Sequence, residues 1–152
     1  MVFLRDEGGV FEASLEAVWQ FVGSGDHHSG AHQHRNFARR RHSENVGEYT
    51  WEQTFQGTAG VRFTMRWTTF YPLGIAYEVL EGPFVGSRFF IFYEPLGDRT
   101  GVSMVGDFHS PTLSDADLPR AVEQFFATEF EQDHGAMRAV GPKPKGSNPP
   151  RG

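Results

Sequence analysis

Six short segments that alternate apolar and polar side chains occupy residues 35–109, and turn residues separate them. This period of two is typical of half-buried strands. The segments are RNFARRRHS, GEYTWEQTFQG, VRFTMRWTTFY, IAYEVLE, SRFFIFYEPL and GVSMVGDFH. The breaks at residues 44–47, 57–60, 72–74, 82–86 and 97–101 are short enough for hairpins. The pattern therefore predicts an antiparallel meander.

One face of these predicted strands carries very large side chains, and the other face is polar. In VRFTMRWT the residues of one parity are Val, Phe, Met and Trp, whereas those of the other are Arg and Thr. SRFFIFYEPL is apolar on both parities, so the alternation does not say which of its faces is buried. Aromatic residues make up 14% of the chain, and 15 of them are Phe. So much apolar surface has to be packed or has to line a cavity.

Helical patterns flank the predicted sheet. VFLRDEGGVFEA (residues 2–13) reads as a first strand with an irregularity at Gly8 and Gly9, and SLEAVWQFVGS reads as a short helix capped by Ser14. A long helix is predicted from about residue 117 to 140, with Asp117 as its cap. Residues 1–140 are thus expected to form one domain. The tail at 141–152 is rich in Pro, Gly and Lys, and we expect it to be disordered.

Composition excludes several partners and sites. A net charge of −5 argues against nucleic acid or an anionic membrane as the main partner. The absence of cysteine excludes disulfides and Cys-based metal sites. No apolar run approaches the ~20 residues that a membrane-spanning helix needs, so we expect no membrane insertion and a cytoplasmic protein. The sequence carries no signal for an oligomeric state.

Two stretches and the order of elements carry a resemblance to a known family. FEASLEAVWQFVGS combines a strand, a small-residue cap and a helix with a V-W pair, and FFATEFEQD lies in the long closing helix. With the intervening strands, they resemble the START/Bet v 1-like (SRPBCC) superfamily, which includes polyketide cyclases, lipid carriers and plant hormone receptors. The resemblance covers residues 1 to about 140. It implies an α+β helix-grip fold, with a seven-stranded antiparallel sheet curved around a long C-terminal helix and two short helices after the first strand.

The same resemblance implies an apolar cavity between the sheet and the long helix. Its expected occupant is an apolar or aromatic small molecule such as a lipid, an isoprenoid or a polyketide. The alternative is that the large side chains fill the interior and leave no cavity. The candidate ligand-binding residues are Trp51, Gln53, Phe63, Met65, Trp67, Tyr77, Phe108 and Phe126.

Glu129 and Asp133 fall near the centre of the apolar face of the long helix, one turn apart. Two carboxylates there would be desolvated and would repel each other unless something compensates. They could pair with buried arginines, serve as ligand-binding or acid–base groups in the cavity, or reach solvent past the last helical turns. The second interpretation makes them candidate catalytic residues.

Basic residues occur on both parities of RNFARRRHS, with Arg39 and Arg41 on one and Arg40 and His42 on the other. One interpretation is a clamp for a carboxylate or phosphate on the ligand. Another is an edge strand whose charge prevents unwanted pairing. In a third interpretation these arginines neutralise Glu129 and Asp133.

The segment DHHSGAHQH (residues 26–34) holds four of the seven histidines. His28 and His32 are four residues apart, as in helical metal sites, and His32 and His34 would share a face in an extended segment. These three are candidate ligands of a divalent metal, with Glu129 or Asp133 as further ligands. Gly30 weakens the helix that the spacing needs. Proton transfer by one histidine and a polar loop at the cavity mouth are the alternatives.

Three functions follow from these patterns. The first is a binding protein for an apolar small molecule, which requires no cofactor. The second is a cyclase- or dehydratase-type enzyme that uses pocket carboxylates as acid and base, with Gln53, Tyr77, Glu129 and Asp133 as the groups to test. The third is a metal-dependent enzyme that uses the histidines of residues 26–34.

Overall fold

The structure is a computed structural model of the 152-residue chain, and it describes residues 1–24 and 34–140. The elements in chain order are β1 (Val2–Phe11), α1 (Leu15–Ser24), β2 (Arg35–Arg41), β3 (Val46–Phe55), β4 (Thr58–Phe70), β5 (Gly74–Glu81), β6 (Arg88–Leu96), β7 (Arg99–Phe108) and α2 (Leu118–Val140). The second short helix predicted after β1, and the tail at 141–152, lie outside the described residues.

The seven strands form one antiparallel sheet in the order β1-β7-β6-β5-β4-β3-β2. Strands β2 to β7 are a meander, in which every strand pairs with the next one in the chain. The first strand pairs with the last, so β1 and β2 lie at opposite edges of the sheet, and the connection that contains α1 joins these two edges. The sheet is curved, and with α2 it forms the helix-grip arrangement that the sequence predicted.

The β3–β4 hairpin extends further than its sequence predicted. The break was expected at residues 57–60, but β4 begins at Thr58 and only Gln56 and Gly57 separate the strands. Both residues have positive φ, at 48° and 80°. Two such residues match the twist of a two-residue hairpin turn, which lets pairing continue through Phe55 and Thr58.

Alternate residues of each strand point to the concave face, where they form the core with α2. Phe63 and Phe108 are completely or almost completely buried, as are Leu118 and Val122 of α2. The ring of Phe125 stacks on Phe63 with 5.8 Å between centroids. Burial of each such side chain stabilises the fold by about 1.5–3 kcal/mol, so α2 is held mainly by its apolar face.

A bulge in β1 lets α2 come close to the sheet. Gly8 has a φ of +57°, and the pairing of β1 with β7 shifts between Asp6 and Gly9. A Cβ on Gly9 would lie 2.7 Å from Cζ of Phe130, whose ring stacks on Phe11 with 4.8 Å between centroids. The irregularity predicted at these glycines is therefore present, and it makes room for an α2 side chain.

The short helix α1 is capped at its N-terminus and contacts the sheet from its middle. Ser14 accepts a hydrogen bond from the Ala17 amide at 3.2 Å, as expected for its predicted role as the cap. Trp19 donates from its indole to the carbonyl of Pro72 at 3.2 Å, and its ring meets Tyr93 edge to face. These contacts hold α1 over the β4–β5 end of the sheet.

Among the residues that the structure describes, no helix is long and apolar enough to cross a membrane.

Candidate functional site

A cavity of about 240 Å³ lies between α2 and strands β1, β6 and β7. Its wall is mostly apolar, but several carboxylates and one tyrosine also face it. The lining residues are Asp6, Gly8, Phe11, Ile91, Tyr93, Val102, Ser103, Met104, Phe126, Ala127, Glu129, Phe130, Glu131 and Asp133. We call this space the inner cavity. Glu129 and Asp133 both line it, so the two carboxylates that the sequence placed on the apolar helix face are brought to one site.

His34 joins this site from the residue before β2. Its side chain is 2% exposed, and its ring stacks flat on Trp51 with 4.6 Å between centroids. The Nε2 atom of His34 lies 3.7 Å from Oε1 of Glu129, whose side chain is 19% exposed. The indole of Trp51 thus fixes the plane of the imidazole, and Glu129 faces one of its nitrogens.

Two tyrosines add hydroxyl groups to the same region. Burial raises the pKa of Tyr77 well above its ordinary value, and neighbouring Tyr93, Tyr49, Asp133 and Glu129 raise it further. Burial also raises the pKa of Tyr93, again with a contribution from Asp133. Both phenols therefore stay protonated at neutral pH and can donate hydrogen bonds.

A second space of about 370 Å³ lies at the mouth of the fold, between α1 and strands β2 to β5. We call it the mouth recess. It is lined by Trp19, Val22, Gly23, Arg39, Arg41, Glu44, Asn45, Tyr49, Trp67, Thr69, Tyr71, Ile75 and Tyr77. The guanidinium of Arg39 lies over the rings of Tyr49 and Trp67, and that of Arg41 lies over Trp67. The arginines of one parity of β2 therefore face the concave side of the sheet.

A third space of about 600 Å³ lies between the β3–β4 hairpin and α2. It is lined by Arg35, Gln53, Thr128, Glu129 and Gln132, together with other residues of the hairpin. Glu129 thus lies between this space and the inner cavity. Gln53 accepts a 2.7 Å hydrogen bond from the Trp51 indole, which ties it to the ring that carries His34.

The eight predicted ligand-binding residues fall into two groups. Trp51, Phe63, Met65 and Phe108 are each at most 6% exposed and belong to the buried core, where Trp51 stacks on Phe63 with 5.3 Å between centroids. The other four border open space. Phe126 lines the inner cavity, Trp67 and Tyr77 line the mouth recess, and Gln53 lines the space beside the hairpin.

Of the three predicted metal ligands, His28 and His32 lie outside the described residues. Within residues 1–24 and 34–140, no group of three or more histidines and carboxylates is arranged to hold a metal ion. The third, His34, lies 3.7 Å from Glu129, but the approach of a carboxylate to His28 or His32 that the metal site requires falls outside the described residues. The metal site itself stays a prediction.

Sequence reasoning missed Tyr93 as a site residue. It lies on β6, whose segment is apolar on both parities. The buried parity is that of Phe89 and Tyr93, whereas Phe92 on the other parity is 43% exposed. The pairing of β6 with β7 identifies the buried parity. Tyr93 pairs with Val102, and the alternation in the β7 segment had already placed Val102 on the inward face.

The sequence matches no protein-family model and no curated protein. Solved structures do match over nearly the whole chain. The Zhui aromatase/cyclase from Streptomyces sp. R1128 has a TM-score of 0.72 and 17% identity, covering 93% of this chain and 98% of its own. Ara h 8.0201 has a TM-score of 0.72 and 9% identity, covering 91% and 98%.

A third match is to BexL, a di-domain ARO/CYC from the BE-7585A biosynthetic pathway. Its TM-score is 0.70 at 13% identity, and the match covers 94% of this chain and 51% of that longer one. The class of fold is therefore settled. The chain has the START/Bet v 1-like helix-grip fold, as the sequence resemblance implied.

Proposed function

We propose that this chain binds an apolar small molecule, such as a lipid, an isoprenoid or a polyketide-like compound, between the sheet and α2. The observation that carries the proposal is the inner cavity of about 240 Å³, with walls of Phe11, Ile91, Val102, Phe126 and Phe130. Close-packed protein interiors leave few spaces larger than a water molecule. The apolar part of this wall lacks packing partners, and an apolar ligand would supply them.

The structural neighbours support the same proposal. One of them is named as an aromatase/cyclase, and another as a di-domain ARO/CYC of a biosynthetic pathway. Their likeness to this chain is one of fold. It supports a polyketide-like or other fused-ring ligand, because the aromatic walls described above are suited to flat apolar rings.

Native mass spectrometry of the protein purified from its own host tests the proposal directly. We expect a bound mass that is released into organic solvent and is apolar on reversed-phase chromatography. The proposal fails if the protein carries no such mass and if a panel of fatty acids, isoprenoid alcohols and polycyclic aromatics shows no binding.

A second candidate function is a cyclase- or dehydratase-type enzyme, and the contact between His34 and Glu129 favours it. A dehydration needs a base that removes a proton from carbon and an acid that protonates the leaving hydroxyl, so that water departs. His34 and Glu129 face each other next to Asp133, and Tyr77 and Tyr93 could donate hydrogen bonds to a developing enolate. The electron pair of the broken C–H bond forms the double bond as the C–O bond breaks and water leaves, so the step has no net oxidation or reduction and needs no redox cofactor.

A further inference from the structure

Arg39 and Arg41 hold two positive charges on the concave side of the sheet, at the mouth recess. Strand register places them there. Arg39 pairs with Tyr49 of β3, which pairs in turn with Met65 of β4. Arg41 pairs with Gly47 of β3, which pairs in turn with Trp67 of β4. Both guanidinium carbons lie near the Trp67 centroid, at 5.6 Å for Arg39 and 6.0 Å for Arg41. Arg39 also donates to the carbonyl of Gly23 at 3.4 Å, which links β2 to the last turn of α1.

Gly47 makes this arrangement possible. A Cβ at position 47 would lie 2.3 Å from Cζ2 and 2.6 Å from Cε2 of Trp67. The missing side chain leaves room for the indole to lie against β3, next to the position of Arg41. Trp67 is 3% exposed, and its indole N–H has no hydrogen-bond partner among the described residues. A buried donor without a partner costs free energy unless a ligand satisfies it.

Three arginines of the convex side behave differently. Arg62 pairs with Glu81, Arg66 with Glu78 and Arg88 with Asp107, at 2.7, 3.6 and 3.1 Å. Across the described ranges 1–24 and 34–140, neither Arg39 nor Arg41 has a carboxylate within 4.0 Å. Glu44 also lines the recess, but it forms no ion pair with either arginine. Within the part of the chain that the structure describes, these two guanidiniums of the concave side therefore form no ion pair with a carboxylate.

Stacking on Tyr49 and Trp67 leaves the guanidiniums of Arg39 and Arg41 able to bind an anion. A guanidinium that lies over an aromatic ring presents its face to the ring and keeps N–H donors at its edge. Those donors match the oxygens of a carboxylate or a phosphate. Tyr49, Trp67 and Ile75 provide apolar wall in the same recess, so a molecule with an anionic end and an apolar body meets both kinds of surface.

We propose that the mouth recess binds the anionic end of the ligand, a carboxylate or a phosphate monoester, through Arg39 and Arg41. The inference rests on the proposed ligand binding and narrows its chemistry. The ligand is an apolar molecule with one acidic end, and that end lies at α1 and β2 rather than beside Glu129 and Asp133. This orientation keeps the acidic end of the ligand away from Glu129 and Asp133, which line the inner cavity, and places it beside the two guanidiniums of the mouth recess.

The test uses a neutral fluorescent reporter and three matched competitors. N-phenyl-1-naphthylamine reports binding at the apolar site, and dodecanol, dodecanoic acid and dodecyl phosphate displace it. For the unmodified protein we expect one of the two acids to bind at least about tenfold more tightly than dodecanol, since hydrogen bonds to charged groups are the strong ones. Whichever acid is preferred identifies the anion.

Substitutions then locate the effect. Arg39→Gln and Arg41→Gln should each reduce the acid-over-alcohol preference to about threefold or less, because each removes a cation that can pair with an acid but not with the alcohol. Arg40→Gln is the matched control, because Arg40 lies on the same strand with the opposite parity and interacts with Glu48. The control should keep the full preference.

The outcomes separate the two proposals. If dodecanol and both acids bind equally, or if the preference survives both substitutions, the anion site is wrong and the apolar site stands. If the reporter and all three competitors fail to bind, the proposed ligand binding fails and the anion site fails with it.

Discussion

The Nε2 atom of His34 lies 3.7 Å from the Oε1 atom of Glu129, although the two residues are far apart in the sequence. His34 enters just before edge strand β2, and Glu129 is on α2. The imidazole of His34 stacks on the indole of Trp51. The contact between His34 and Glu129 therefore depends on the sheet, on α2 and on the residue before β2. An ionisable pair held this way next to a cavity is where acid–base chemistry would be located.

Glu129→Gln tests whether this contact is catalytic. For any substrate that the protein is found to convert, we expect turnover to fall by at least about 100-fold, because an amide neither accepts nor delivers the proton. Glu123→Gln is the control, since Glu123 is an exposed residue of the same helix. The measurement is the single-turnover rate of each variant, compared with that of the unmodified protein. Full activity in Glu129→Gln would exclude general acid–base catalysis by this residue.

Gly47→Ala tests the packing of Trp67 on β3. A Cβ there would lie 2.3 Å from Cζ2 of Trp67 and 2.8 Å from the carbonyl oxygen of Arg40. We expect the free energy of unfolding to fall by about 1–3 kcal/mol, because backbone and a buried ring both have to move. Urea denaturation followed by tryptophan fluorescence measures it.

Gly135→Ala is the matched comparison for that variant. Gly135 lies inside α2, and a Cβ there would meet nothing within 4 Å. Alanine in a helix interior should raise stability by about 0.5–1 kcal/mol. Equal effects of the two substitutions would show that Trp67 does not pack against Gly47.

Alkaline pH should weaken the fold through Tyr77 and Tyr93. Burial raises the pKa of both hydroxyls in the folded protein, whereas the unfolded chain ionises near pH 10. Their contribution to stability is therefore fully present below about pH 10 and is lost as pH rises above it. The free energy of unfolding at pH 8 and pH 10.5 measures the loss. Tyr93→Phe should show a smaller loss between these pH values than the unmodified protein, and an identical loss would contradict the burial of this hydroxyl.

The alternation of apolar and polar residues predicted most of the strands and their buried faces. The alternation in β4 placed Phe63, Met65 and Trp67 on one face, and all three are buried there. The same rule could not orient β6, because Phe90 and Phe92 make their own cluster on the convex side. Phe90 lies 4.4 Å from Phe92 and 5.7 Å from Phe70, centroid to centroid. An apolar patch outside the core is invisible to a rule that equates apolar with buried.

The site was less accessible to sequence reasoning than the fold. Helical spacing put Glu129 and Asp133 on the apolar face of α2, and the cavity explains their position. Their partner was harder to find. Sequence offered His34 as one of three metal ligands and the arginines of β2 as counter-charges. The pairing register of β2 with β3 is needed to place the guanidinium of Arg39 over the Tyr49 ring and that of Arg41 over the Trp67 ring. Contacts between distant segments depend on pairing that periodicity does not specify.

Two substitutions on β7 locate the bound molecule. Val102 lines the inner cavity, whereas Val105 has the opposite parity and borders the convex side of the sheet. Val102→Phe should fill the cavity and weaken binding of N-phenyl-1-naphthylamine at least about tenfold. Val105→Phe adds the same ring outside the cavity and is the control. Both variants must first show the circular dichroism spectrum of the unmodified protein.

The most direct measurement is thus the dissociation constant of N-phenyl-1-naphthylamine for the unmodified protein, Val102→Phe and Val105→Phe, obtained by fluorescence titration. Ligand binding between the sheet and α2 requires that the unmodified protein and Val105→Phe bind with the same affinity and that Val102→Phe binds far more weakly. Unchanged binding by Val102→Phe, or a loss confined to Val105→Phe, would contradict a ligand site in the inner cavity.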